Sequence, residues 1–134
     1  MTIKIIKLAS ILIGIVFIAC GQPTVQAQNL QADLIEGQAT YYDPAGNLGF
    51  CKKPVPKYAV ALPAQRFRGS DFLKLCGKRV KVSTLDGSKS ITVPIFDKCF
   101  ACNYNSIDLT TNAFTRLFPN TNNGRQTVIW SIQR

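Results

Sequence analysis

Two aspartates, Asp97 and Asp108, are the residues on which chemistry would rest. They share one stretch, ITVPIFDKCFACNYNSIDLTTNAF from Ile91 to Phe114. It opens as a strand with Ile91, Val93 and Ile95 alternating with other residues. It then runs into a loop holding Asp97 and the pair Cys99 and Cys102, passes Asp108 and enters a short helix at Thr110 or Thr111. A cross-linked loop with a carboxylate at each end can hold the two side by side, as chemistry on a polar polymer requires. Asp97 follows an apolar strand end and Asp108 lies between Ile107 and Leu109, so partial desolvation is expected at both. Burial favours the protonated carboxyl unless a partner compensates. One protonated and one ionised carboxyl could then grip or attack a sugar. The plainer role for Asp108 is to cap the helix that follows.

Asp43 is the third carboxylate to weigh. Beside Pro44 it is most simply a turn former. If the strand end at Tyr42 reaches the same groove as Asp97, it is instead a candidate general base. Inverting glycosidases hold their carboxyls about 6.5–9.5 Å apart, with room for a water. Thr40, Tyr41 and Tyr42 alternate across one strand, so at least one tyrosine should face outward as a stacking platform for sugar. Trp130 is expected in the core.

The chain has no histidine, which removes Ser-His-Asp and Cys-His nucleophilic catalysis. Cys99-Phe-Ala-Cys102 has the spacing of a metal half-site or a redox pair. Without histidine, and in an exported chain, structural disulfides are the better reading, and no metal or cofactor is expected.

Export follows from the first residues. Lys4 and Lys7 precede the apolar run Leu8 to Ala19, and Val25-Gln26-Ala27 offers small residues for signal peptidase. The run is short for a membrane span, so residues 1–27 read as a cleaved secretory signal. A lipid anchor at Cys20 is the competing reading, although Phe17 is a poor residue three places before it. Cleavage would leave 107 residues (134 − 27), enough for one modest core. It would also leave Cys51, Cys76, Cys99 and Cys102, which imply two disulfides in an oxidising compartment, each worth about 3 kcal/mol. Four cysteines allow three pairings, and spacing does not choose among them. Losing Lys4 and Lys7 takes the formal charge from +9 to +7, which favours acidic polymers or anionic headgroups as partners. Nucleic acid is not expected, because the basic residues are scattered without interleaved aromatics.

Residues 28–36 read as a polar lead-in and 37–134 as one domain acting as a monomer. Gly37 to Tyr42 is a strand, and Asp43 to Asn47 a turn. The loop then continues through Cys51 and KKPVPK to Lys57, before a short buried strand from Tyr58 to Leu62. A short helix is expected from Ser70 to Gly77. Arg79–Thr84 and Lys89–Ile95 form a hairpin around Asp86-Gly87. Thr110 to Phe118 is a helix, and Gln126 to Ile132 the last strand. About six short strands with one or two short helices suit a mainly β protein, a small closed barrel without exposed edges.

The blocks GQATYY, AVAL, CGKRVKV, IFDKCFAC, SIDLTTNAF and TVIW resemble, in order, the double-psi β-barrel of expansin-like proteins, with the single-domain loosenins nearest in pattern. The likeness runs from about Glu36 to Ile132. It implies a six-stranded double-psi β-barrel, secreted, that binds wall polysaccharide (cellulose, chitin, pectin or peptidoglycan) in an open groove and loosens it without hydrolysis. By motif position the groove threonine falls on Thr40, the essential aspartate on Asp97 and the second acid on Asp108. A groove tyrosine expected two places after the first aspartate is Cys99 here, and the usual Gly-Ala-Cys-Gly is Gly49-Phe50-Cys51-Lys52. The second, carbohydrate-binding domain of full expansins is missing, so tight binding to crystalline cellulose is not expected. The same barrel implies two further classes. One is an enzyme. A small inverting endoglucanase would use Asp43 and Asp97. Rare lipoprotein A cleaves peptidoglycan, but the histidine it places around Ala59 to Leu62 is absent. The other is a papain-inhibitor-like or barwin-like defence protein acting through the KKPVPK loop.

Overall fold

The computed structural model describes residues 33–69 and 72–134. The expected export signal, Cys20, most of the lead-in and the expected helix start at Ser70 lie outside the described residues. Six strands are formed: β1 (Ile35–Tyr42), β2 (Val60–Pro63), β3 (Arg79–Thr84), β4 (Ser90–Cys99), β5 (Ile107–Thr110) and β6 (Gln126–Ile132). They close into a barrel in the order β1-β5-β2-β4-β3-β6. The β1–β5 and β2–β4 pairs are parallel and the other four antiparallel, a mainly β, closed six-stranded barrel as expected. One helix, α1 (Thr111–Leu117), and the 3-10 turns Ala64–Arg66 and Phe72–Leu75 complete the described elements.

Period-two patterning drives the closure. In β3, Val80, Val82 and Thr84 are buried while Arg79 and Lys81 face water. The hairpin to β4 turns at Asp86-Gly87, where Gly87 has a φ of 72°, a conformation that costs glycine least. Asp86 accepts from Thr84 Oγ1 (2.6 Å) and from the Ser88 N–H (3.0 Å), which fixes the turn. Trp130, Phe114, Leu62, Ile95, Ile107 and Leu109 fill the interior. Helix α1 buries Ala113, Phe114 and Leu117 and lies against β1, β4 and β5.

Four features differ from the sequence reading. β1 begins at Ile35, because Ile35 and Glu36 pair with Trp130 and Ile129 of β6. The segment Ile107–Thr110, read as the approach to the helix, is a strand held between β1 and β2. Asp97, read as a loop residue, lies inside β4, which continues to Cys99. In both cases the pairing partners are distant in sequence, so no local signal marks the strand. The expected helix over Ser70–Gly77 is a single 3-10 turn where it is described.

The pairing of the cysteines is Cys51–Cys76 and Cys99–Cys102. The first ties the long β1–β2 loop to the approach to β3, and the second closes the end of β4.

Candidate functional site

Four residues form a row across neighbouring strands. Thr40 on β1 is paired with Asp108 on β5, Asp108 with Ala61 on β2, and Ala61 with Asp97 on β4. Directly paired residues point to the same face of a sheet. Ala39, Val60, Leu62, Ile95, Ile107 and Leu109, their neighbours along the strands, fill the core, so the row faces outward. Ala61 is its floor, 3% exposed between the two carboxylates. With strands about 4.8 Å apart, the two aspartates are two strands and about 10 Å apart at their backbones.

A one-residue irregularity aims Asp97. Val60 pairs with Ile95, but the next residue, Ala61, pairs with Asp97, so Phe96 is extra. Ile91, Val93 and Ile95 point inward, and strict alternation would send Asp97 inward with them. The bulge reverses its side, a recognised use of such insertions. Asp97 Oδ1 accepts from the Phe50 N–H and the Lys98 N–H, both at 2.9 Å. The carboxylate thus also pins the loop Gly49–Cys51 over β4. That loop runs so close that a Cβ on Gly49 would lie 2.4 Å from the Phe96 carbonyl oxygen.

Asp108 is half-buried, and Thr40 Oγ1 donates to its Oδ1 at 2.9 Å. Burial pushes its carboxyl above the usual aspartate range, the Thr40 hydrogen bond pulls the other way, and the charge of Asp97 adds to the rise. It does not cap α1. The N-cap residue is Thr110, without a side-chain capping bond. Thr110 Oγ1 instead donates to the Lys57 carbonyl (2.8 Å) and accepts the Ala59 N–H (3.1 Å).

Tyr42 supplies the outward tyrosine. Its hydroxyl is buried and misses hydrogen-bond geometry with any described residue. Burial, then the nearby charge of Asp97 with a hydrogen-bond-like pull toward it, then Asp108, push the phenol well above its usual value. It therefore stays neutral, a donor waiting beside two acceptors. Tyr41 turns inward and packs on Phe114, with ring centroids 4.9 Å apart. Asp43 is exposed and accepts the Ala45 N–H at 2.9 Å, the geometry of a turn former. The structure thus brings Thr40, Tyr42, Asp97 and Asp108 together and sets Tyr41 and Asp43 apart from them.

Several flanking residues were not foreseen. Lys98 Nζ lies 3.7 Å from the centre of the Phe50 ring and also faces Phe67 and Phe100. Phe100 is 81% exposed. Arg66 stacks on Tyr104 (4.0 Å) and donates from Nε to the Tyr104 carbonyl (3.0 Å). A cleft of about 300 Å3 beside the row is lined by Thr40, the Cys99–Cys102 bridge, Ser106, Asp108 and Arg125. Phe50 was visible as a departure from the family pattern; nothing local marks Arg66, Lys98 or Arg125. Among the described residues, no three of His, Cys, Asp or Glu gather as a metal-binding group.

No family model matches the chain. The Streptomyces papain inhibitor is 31% identical, with a TM-score of 0.67, covering 76% of this chain and 96% of the inhibitor. An expansin from Clavibacter michiganensis without ligand is 26% identical at a TM-score of 0.65, covering 76% of this chain but only 51% of the expansin. A mutant of that expansin in complex with cellohexaose, at 24% identity and a TM-score of 0.65, shares the fold. An Asp f 7 allergen homologue from Arthroderma benhamiae is 35% identical over 85 residues, which span 60% of this chain and 28% of that protein.

Proposed function

Because the chain belongs to the expansin-like double-psi β-barrel proteins, we propose that it is a secreted module that binds cell-wall polysaccharide along the Thr40–Asp108–Asp97 row and loosens it without cutting. The observation that carries this reading is the row itself. A hydroxyl and two carboxyls lie across four strands of an outward face, with the buried Tyr42 hydroxyl beneath them and Phe100 and Tyr104 exposed on the adjoining loop. Carboxylates match sugar hydroxyls, and exposed rings match the apolar faces of pyranoses. The substrate class is taken from the Clavibacter expansin, which one structure holds with cellohexaose.

Two features favour loosening over hydrolysis. Asp43 accepts the Ala45 N–H in its own turn, the arrangement of a turn former. Asp97 Oδ1 already accepts two backbone N–H groups, a holding role rather than a proton-donating one.

The test is a pull-down on insoluble cellulose, chitin, pectin and peptidoglycan, with soluble reducing ends assayed in the same tubes. Expected is binding without new reducing ends, and loss of wall extension in Asp97→Asn. Asn keeps an acceptor oxygen for Phe50 and Lys98, so this variant should melt as the parent does. Reducing ends that vanish in Asp97→Asn would make the protein a hydrolase instead.

A second reading rests on one observation: this chain spans nearly the full length of the Streptomyces papain inhibitor. In that reading the exposed Lys52-Lys53 turn, where Lys52 has a φ of 59°, meets the protease. Inhibition of papain with no polysaccharide bound would select it.

A further inference from the structure

A second concavity, of about 720 Å3, lies on the outer face of the β3–β4 hairpin beside α1. Its chemistry is unlike that of the groove. Arg79 from β3, Lys89 from the hairpin and Arg116 from α1 line it, together with Tyr58 and the hydroxyls of Ser90 and Thr92. Along β4, the cleft runs from Ser90, seven residues and about 23 Å from Asp97, to Pro94, three residues and about 10 Å from it.

These cations are placed rather than scattered. Arg79 Nη2 donates to the Thr92 carbonyl at 2.8 Å, which orients the guanidinium across the cleft and leaves the other N–H groups of its fork. Arg116 and Lys57 both sit 5.6 Å from the centre of the Tyr58 ring, so that half-buried ring is bracketed by positive charge. Among the described residues no carboxylate is ion-paired with Arg79, Lys89 or Arg116. The acid on the same hairpin, Asp86, is held by Thr84 and by the N–H and hydroxyl of Ser88.

From this arrangement we propose a second binding site that takes a carboxylated polysaccharide, a chain of uronate residues. Guanidinium forks match carboxylates in a planar, two-bond geometry. The Tyr58 ring holds Arg116 at the cleft, and Ser90 and Thr92 offer partners for the sugar hydroxyls. A lipid surface fits less well, since a flat bilayer meets a concave cleft only at its rim. The site does not depend on the proposed role of the groove, and the two fail independently.

The experiment is affinity electrophoresis of the mature chain through gels containing polygalacturonate. The same polymer fully methyl-esterified serves as the uncharged comparison. Expected is retardation by polygalacturonate alone, weakened about tenfold in Lys89→Gln/Arg116→Gln as two charge contacts are lost. Lys52→Gln/Lys53→Gln removes the same charge elsewhere and should stay within about twofold of the parent on the same reasoning. The proposal is overturned by equal weakening in the two double variants, by equal retardation in the esterified gel, or by no retardation. It is overturned too if phosphatidylserine vesicles bind the parent and the Lys89/Arg116 variant alone loses them.

Discussion

Replacing Thr40 with valine removes one oxygen and keeps the branched shape that suits β1. The oxygen lost is the donor to Asp108, 2.9 Å away. A hydrogen bond to a charged acceptor contributes about 1.5–3 kcal/mol net. Asp108 is only half-buried, so screening by solvent reduces this to about 1–1.5 kcal/mol at pH 7. For a domain of this size that corresponds to a fall in Tm of about 5–8 °C. The loss should depend on pH. Asp108 in the folded protein titrates above its ordinary value of 3.8. Its contribution is therefore fully present below the unfolded value and is lost as pH rises through the folded one. The Thr40 bond opposes that rise by stabilising the charged form, so its removal costs most where Asp108 is ionised. At pH 3 the acceptor is neutral and the bond is worth roughly half as much. Thermal melts of Thr40→Val against the parent at pH 7 and pH 3 measure both. An equal deficit at the two pH values would mean the hydroxyl serves packing, and no deficit at either would refute the hydrogen bond.

Gly37→Ala should be severe. Its Cβ would lie 1.8 Å from the Asn105 carbonyl oxygen, which accepts the Trp130 indole N–H at 2.8 Å. Overpacking together with the lost indole bond predicts about 2–4 kcal/mol, read as a lower urea midpoint with red-shifted tryptophan fluorescence; parental stability would refute the close approach. Removing Cys51–Cys76, separated by 25 residues, should cost about 3.5 kcal/mol by loop entropy, whereas removing Cys99–Cys102, separated by 3, should cost about 2 kcal/mol. Urea unfolding of the two double-alanine variants should rank them in that order, and a reversed ranking would show that the short bridge holds more than its own loop.

The sequence made the inward faces of β3 and β6 legible, because Val80 and Val82, and Val128 and Trp130, repeat at period two and are buried as the alternation requires. The hairpin was legible through Asp86-Gly87, a turn made by local hydrogen bonds alone. β5 was not. Ile107–Thr110 is four residues long, directly precedes α1, and is a strand only because β1 and β2 flank it. Tyr41 and Tyr42 were legible as an alternating pair, but which of them faces outward depends on the phase of β1, set by Ala39 pairing beneath Ile107. Asp97 shows the limit best. Counting by twos from Ile91 gives it an inward direction, and only the extra residue Phe96, seen in the register with β2, turns it outward.

That bulge joins fold to function. β2 is short and lies between the two acid-bearing strands, parallel to β4 and antiparallel to β5. A single small residue on it, Ala61, can therefore lie beside carboxyls that arrive from opposite directions along the chain. Any larger side chain at Ala61 would rise between Asp97 and Asp108 and divide the row. Ala61→Leu tests this. Leucine would point away from the closed core, but Ala61 is only 3% exposed, so overpacking should cost about 1–3 kcal/mol, while binding to polysaccharide should fall as far as in Asp97→Asn. If Ala61→Leu folds and binds as the parent does, the two carboxyls do not act on one ligand, and the row is a consequence of the barrel rather than its purpose.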